Sequence, residues 1–379
     1  MRFRNFWSYR KLLINKGFIG ALGRARQNIV ADSADRPPVA GPYLAELDIT
    51  YRCNNRCIMC QRWNDPRTHE LTLAEYEALA KDFGTLGVQQ MSIAGGEPLL
   101  RKDVFEIIQG FARCNISVNI CTNGTMVHKY ADDICASGAR CISISLDGAT
   151  AARHDGIRGM QGAHEVIAKG IAELMARPPE KRPVVRVRMT ISNRNLDQVR
   201  AFYRRWQDKV DDILLQPVHN CQDALYTGLT PETFAIDPDR LLNQIQNTPF
   251  AHDGYLNQLC RSLKQSGMFP NHRCFAGVLM VRVDPWGNVY PCLEQHVCVG
   301  SIRKNDFLTL WSSAPFNAER RRLNHHKTCT CWYNNTAVIS HYAHLLDMTR
   351  PSALFSRLRA ARSQRQELPS GSCQIQSKR

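Results

Sequence analysis

A chain of 379 residues suggests about two domains, and its 44% apolar content excludes wholesale disorder. No apolar run reaches the roughly 18 to 20 residues that span a bilayer, and the first thirty residues scatter basic side chains without a clean apolar block, so no signal peptide is read and the expected compartment is the cytoplasm. The net charge of +15 sits at the ends: residues 1–30 carry seven Lys or Arg and no acid, and 350–379 carry seven against Glu367 alone, so basicity is no guide to a catalytic site.

The N-terminal stretch places Phe3, Phe6, Trp7, Ile14, Phe18 and Leu22 at helical spacing among Arg2, Arg4, Arg10, Lys11 and Lys16. That predicts a basic helix that either lies on an anionic membrane surface or packs its apolar side on the rest of the protein. A Pro-rich linker follows. From Leu44 the chain alternates short β-type runs at 44–50, 88–94, 116–122, 141–147, 184–192 and 212–218 with five helical stretches, which argues for βα units and a parallel sheet. Six strands and five helices fit an open doubly wound sheet or a partial barrel, and in both the sites form at the carboxyl ends of strands. Beyond 230 the pattern changes: helices are predicted near 238–247 and 255–266, then a hairpin turning at 284–288. The expected domains are 1–43 (basic segment and linker), 44–230 (barrel), 231–345 (a cysteine-bearing domain) and 346–379 (basic tail).

Fifteen cysteines are many for a chain kept in a reducing compartment, where metal binding or catalysis is a better reading than a disulfide framework. Isolated ones in apolar runs, such as Cys121 and Cys141, read as small buried hydrophobes. Cys53, Cys57 and Cys60 differ, because CxxxCxxC spacing in a loop after a strand lets three thiolates face one iron–sulfur cubane. A [4Fe–4S] cluster normally takes four cysteines, so three leave one iron open to a small ligand. A tetrahedral zinc site would want a fourth ligand nearby, and His69 is not placed to supply it.

Joined to Gly95-Gly96-Glu97-Pro98 after the second strand, this loop resembles the radical S-adenosylmethionine (radical SAM) superfamily over residues 44–220. The resemblance implies an α/β fold, a partial (β/α)6 TIM-like barrel, in which the open iron of a [4Fe–4S] cluster chelates S-adenosylmethionine. One electron then yields a 5′-deoxyadenosyl radical that abstracts hydrogen from substrate. It further implies that Gly95, Gly96, Glu97 and Pro98 line the cosubstrate, whose ammonium the bare glycine backbone can approach. Asn123, Ser145 and Arg158 are expected to contact it from later strand ends. Asn-Gly and Asp-Gly at those ends also favour turns on their own account. Met59 departs from the family's usual aromatic residue beside adenine.

Cys274, the Gly287-turned hairpin ending at Cys292, and the late pair Cys329 and Cys331 resemble the auxiliary-cluster extension called SPASM or, when shorter, twitch. The implication is a second [4Fe–4S] cluster, with Cys298 a substitute ligand because the CxC pair departs from the usual CxxC; a structural zinc knuckle is the alternative. Such a cluster suits net oxidation of a substrate radical, while Cys221 and Cys260 are candidate hydrogen-atom donors for an epimerisation. Too little chain precedes the barrel for a leader-binding domain, which favours a small molecule (a sugar, an aminocyclitol or a lipid-linked precursor) over a ribosomal peptide. The expected partners are a flavodoxin- or ferredoxin-type electron donor and, through the basic tails, an anionic membrane surface in preference to nucleic acid. A tRNA-modifying enzyme and a non-catalytic iron–sulfur or zinc protein are the rival readings.

Overall fold

The structure, a computed structural model, describes residues 18–218, 235–265, 274–293, 297–325, 332, 333, 335, 338–340 and 343. Six βα-type strands come first: β1 (Leu44–Thr50), β2 (Gln90–Gly95), β3 (Ser117–Thr122), β4 (Cys141–Ser145), β5 (Val184–Ile191) and β6 (Asp212–Pro217). All neighbours are parallel and stand in chain order, β1 through β6. A doubly wound sheet would reverse its order at a switch point among its βα units; within β1–β6 the order never reverses, so these six units form the partial barrel. The edge at β1 continues into the C-terminal region, where β7 (Met280–Val283) pairs parallel to β1 and is followed by the antiparallel β8 (Asn288–Tyr290) and β9 (Gly300–Ser301), giving one nine-stranded sheet.

Alternation along each strand sorts side chains by face. Leu47, Ile49, Met91, Ile93, Val118, Ile120, Ile142, Ile144, Val185 and Val187 are fully buried, each worth about 1.5–3 kcal/mol on the usual scale for large aliphatic side chains. The opposite face is polar: Glu46, Asp48 and Thr50 on β1, Asn119 and Cys121 on β3, Ser143 and Ser145 on β4, and Arg186, Arg188 and Thr190 on β5. Parallel strands covered on both faces are ordinarily apolar throughout. A polar inner face therefore marks a lumen built to hold something.

The layer on the apolar face comprises α2 (Leu73–Leu86), α3 (Val104–Arg113), α4 (Ala131–Ala136), α5 (Ala151–Arg158), α6 (Ala163–Met175) and α7 (Val199–Trp206), with α8 (Pro238–Ile245) and α9 (Gly254–Gln265) beyond. Local chemistry sets several boundaries. Thr72 and Glu75 close a reciprocal capping box at the start of α2, and Gly87 ends it in the left-handed region at φ 72°. Gly159 does the same for α5 at φ 64°. In the C-terminal region Asp284 accepts from the Trp286 and Asn288 amides at 2.9 Å each, which with Gly287 at φ 85° makes the predicted hairpin turn. Helices α10 (Phe307–Ser312) and α11 (Ala314–His325) close over the sheet, Phe307 meeting Phe83 of α2 edge-on at 4.8 Å.

The helix α1 (Phe18–Ser33) precedes the linker. Its Ala25 and Ile29 are buried with Leu44, Phe275, Val278 and Met280. Its Asn28 donates to Ala40, Gly41 and Val278 carbonyls while accepting from the Val39 and Ala40 amides. The described half of the basic segment thus packs on the protein, while Leu22 stays exposed; Phe3, Phe6, Trp7 and Ile14 lie outside the described residues. No helix among the described residues is long and apolar enough to cross a membrane.

Candidate functional site

Residues 51–60 leave β1 and turn across the mouth of the barrel. The loop is strapped down by backbone bonds rather than by a regular element: Arg56 and Ile58 amides donate to the Arg158 and Ile157 carbonyls at 3.1 and 3.0 Å, and Gly96 and Glu97 amides donate to Thr50 and Arg52 carbonyls at 2.7 and 2.8 Å. Cys53, Cys57 and Cys60 are all free and partly buried, and all three line one cavity. Among the described residues no three His, Cys, Asp or Glu side chains lie close enough to hold a single metal ion. Burial raises Cys53 and pushes Cys57 up to about 11, opposed at Cys57 by the neighbouring Arg158 guanidinium, whose Nη1 is 3.8 Å from Sγ.

The strand ends assemble around the loop. Gly95 and Gly96 line the cavity, and their bareness has a reason besides ligand approach: a Cβ would sit 2.2 Å from the Thr50 carbonyl oxygen at Gly95 and 2.3 Å from that of Arg52 at Gly96. These glycines let β2 close against the cysteine loop. Asn123 at the end of β3 donates to Asn54 Oδ1 at 2.7 Å and reaches Cys53 Sγ at 3.9 Å, while Asn54 donates to Thr125 at 2.8 Å. Ser145 and Arg158 line the same cavity. Arg158 ends α5 and ion-pairs with buried Asp147 at 2.6 Å, which holds the guanidinium well above its ordinary range. Asp147 in turn accepts from the Thr190 amide at 2.8 Å.

Glu97 and Pro98 stand behind this wall, buried and not among the cavity residues. Both Glu97 carboxylate oxygens are taken by the protein, accepting from Leu99 N, Thr122 Oγ1 and Asn123 N at 3.0, 2.8 and 2.7 Å. Burial nonetheless pushes the acid up to about 7. Glu97 is a brace that fastens the end of β3 to that of β2.

Inward from the cysteines the cavity continues into the barrel, lined by Glu46, Cys121, Arg188, Thr190, Gln216 and Tyr333. Glu46 is buried, its acid raised by desolvation, and accepts from the Tyr333 hydroxyl at 2.7 Å. Arg188 sits beside Ser145 in the sheet register, and its guanidinium has no hydrogen bond or ion pair among the described residues. By contrast Arg186, one layer deeper, is paired with Asp212 at 2.7 Å. The motif reading passed over Glu46, Arg188, Gln216 and Tyr333, although the polar alternation in VRVRMT and LAELDIT carried a signal for the first two. Cys121, read as a small hydrophobe, instead faces this cavity with its thiol raised by burial.

Of the second cysteine set, Cys274 and buried Cys292 meet in one cluster with Ala276 and Leu323. Cys298 is exposed, its thiol donating to Gly300 O at 3.2 Å. Cys260 is buried in α9, pushed up to about 11, and does not line the cavity. Cys221, Cys329 and Cys331 lie outside the described residues.

The sequence model of the Radical SAM superfamily matches residues 47–205, and that of SPASM, an iron–sulfur cluster-binding domain, matches 274–332. An AdoMet-dependent heme synthase of Methanosarcina barkeri is 26% identical over 300 residues, covering 72% of this chain and 83% of that protein. The mycofactocin maturase MftC of Mycobacterium tuberculosis is 25% identical over 303 residues, 74% of this chain and 73% of that one. Among solved structures, Streptococcus suis SuiB bound to precursor peptide SuiA superposes with a TM-score of 0.61 at 16% identity, over 78% of this chain and 70% of SuiB, a likeness of fold.

Proposed function

Because the chain belongs to the radical SAM superfamily and carries a SPASM domain after its barrel, we propose that it removes a hydrogen atom from an anionic substrate held in the lumen against Arg188. It is an enzyme that works with S-adenosylmethionine on a [4Fe–4S] cluster, and its SPASM domain brings auxiliary iron–sulfur. Once reduced, that pair supplies a 5′-deoxyadenosyl radical.

In this reading Cys53, Cys57 and Cys60 hold the first cluster, and Gly95, Gly96, Asn123, Ser145 and Arg158 frame the cosubstrate. Glu97 and Pro98 keep those strand ends in place from behind. Cys274, Cys292, Cys329 and Cys331 hold an auxiliary cluster. The electron arrives from a flavodoxin- or ferredoxin-type donor.

The observation that carries the substrate reading is that Arg188, which lines the cavity beside Ser145, has no ion pair or side-chain hydrogen bond among the described residues. A cation inside a barrel is costly unless something neutralises it, and guanidinium is suited to a planar carboxylate or a phosphate. This narrows a small-molecule substrate to one bearing an anionic group, and disfavours a purely cationic aminocyclitol. A cluster held by Cys274, Cys292, Cys329 and Cys331 would offer a site for the second electron of an oxidation; without that transfer the outcome is an epimerisation. A ribosomal peptide presenting a carboxylate is the second reading, favoured by the likeness to a mycofactocin maturase.

Anaerobically reconstituted enzyme, reduced with dithionite in the presence of S-adenosylmethionine, is expected to release 5′-deoxyadenosine. Anionic metabolites or acidic peptides should accelerate release in the native enzyme. Arg188→Met should keep the unstimulated release and lose the acceleration. No 5′-deoxyadenosine from a fully loaded enzyme would refute the reading, and acceleration that survives Arg188→Met would remove the anionic anchor.

A further inference from the structure

Asn55 lies midway between Cys53 and Cys57. The residue is 1% exposed and is among those that line the cavity shared with the three cysteines. Neither Oδ1 nor Nδ2 has a hydrogen-bond partner among the described residues. Its neighbour Asn54 is by contrast tied to Thr125 and Asn123, so the loop does not lack polar partners in general. An amide buried without partners costs about 1–3 kcal/mol, and Leu, of similar volume, would avoid the cost. A buried polar group of this kind calls for a partner that is not part of the polypeptide.

The group expected in front of the three cysteines offers such a partner. The sulfides of a [4Fe–4S] cluster are electron-rich and accept hydrogen bonds, while an asparagine amide supplies two N–H donors. We propose that Asn55 donates from Nδ2 to a sulfide of the cluster carried by Cys53, Cys57 and Cys60, and so raises its reduction potential above what an apolar residue would give. The extra electron of the reduced cluster makes its sulfurs better acceptors, so the bond strengthens on reduction; hydrogen bonding to sulfur is one of the levers that set such potentials. Asn55 acts through the cluster and is a positioning residue. The inference rests on the proposed assignment of the three cysteines as ligands.

The test uses reconstituted full-length enzyme, with the first cluster's reduced signal identified in electron paramagnetic resonance as the one that Cys57→Ala abolishes. If Cys57→Ala leaves every signal intact, the ligand assignment fails before Asn55 is tested. Otherwise the midpoint potential is titrated without S-adenosylmethionine for the native enzyme, Asn55→Leu and Asn55→Met. Both variants are expected to keep their iron and titrate at a more negative potential, and to show one exchangeable-proton coupling fewer than the native cluster in pulsed measurements. An unchanged midpoint would overturn the proposal. So would a shift seen only with S-adenosylmethionine present, which would make Asn55 a cosubstrate contact, or loss of the cluster from both variants, which would make it a residue of loop assembly.

Discussion

His154 illustrates how much a single buried group in the wall is asked to do. Its Nδ1 accepts from the Asp147 amide at 3.1 Å, and Asp147 is the residue that fixes Arg158 at the cavity. Burial, the Arg158 charge and nearby His164 push its imidazole down to about 3 from 6.5. The sign of the pH effect follows. Below about 6.5 the unfolded chain takes up a proton that the folded chain refuses, so this part of the stability is full above that pH and is lost as pH falls toward 3. His154→Asn keeps an acceptor for the Asp147 amide and removes the titration. Its urea midpoint, measured under argon at pH 7 and pH 5, should fall less between the two than that of the native protein; an equal fall would show that His154 does not titrate this way. At this scale the cysteine loop was legible because its information is local, three identical donors within eight residues. That Arg188 has no partner among the described residues was not, since it depends on which charges other strands bring near, and Arg186 two positions earlier found one.

At the level of elements, the cavity is made by close approach of segments that are far apart in sequence. Gly159 caps α5 in the left-handed region, and a Cβ there would lie 2.2 Å from the Arg56 carbonyl oxygen of the cysteine loop. The conformation alone costs a non-glycine residue about 1–2 kcal/mol, and the collision adds to it. Gly159→Ala should therefore lower the thermal midpoint and the iron retained after desalting. Gly23→Ala, in α1 with nothing within 4 Å of the added carbon, should do neither and serves as the control. The strands were readable within about two residues because each is a short apolar-bearing run between turn signals and helical stretches. Helix α5 was not: Ala151–Arg158 is polar, holds Gly156 mid-element and has no apolar stripe, and it is set by its Thr150 cap and by the loop it carries.

Across the whole molecule, the two proposed ligand sets imply about eight irons per chain when both hold cubanes. Replacing Cys274 and Cys292 together by Ala should bring that to about four while leaving 5′-deoxyadenosine release without substrate intact. Retention of all eight would place the auxiliary ligands elsewhere. The two regions were legible as separate patterns, but their junction was not, because nothing in LAELDIT announces that MVRV will pair with it. That junction bears on how the protein is made. Strand β1 leaves the ribosome early and can align with β2 as soon as the latter follows, yet its other edge stays bare until β7 has been synthesised. Through most of translation the nascent chain therefore carries an unpaired edge with buried acids beside it, of the sort that invites wrong pairing. The last rung of the sheet closes late, and the barrel's first strand waits for it.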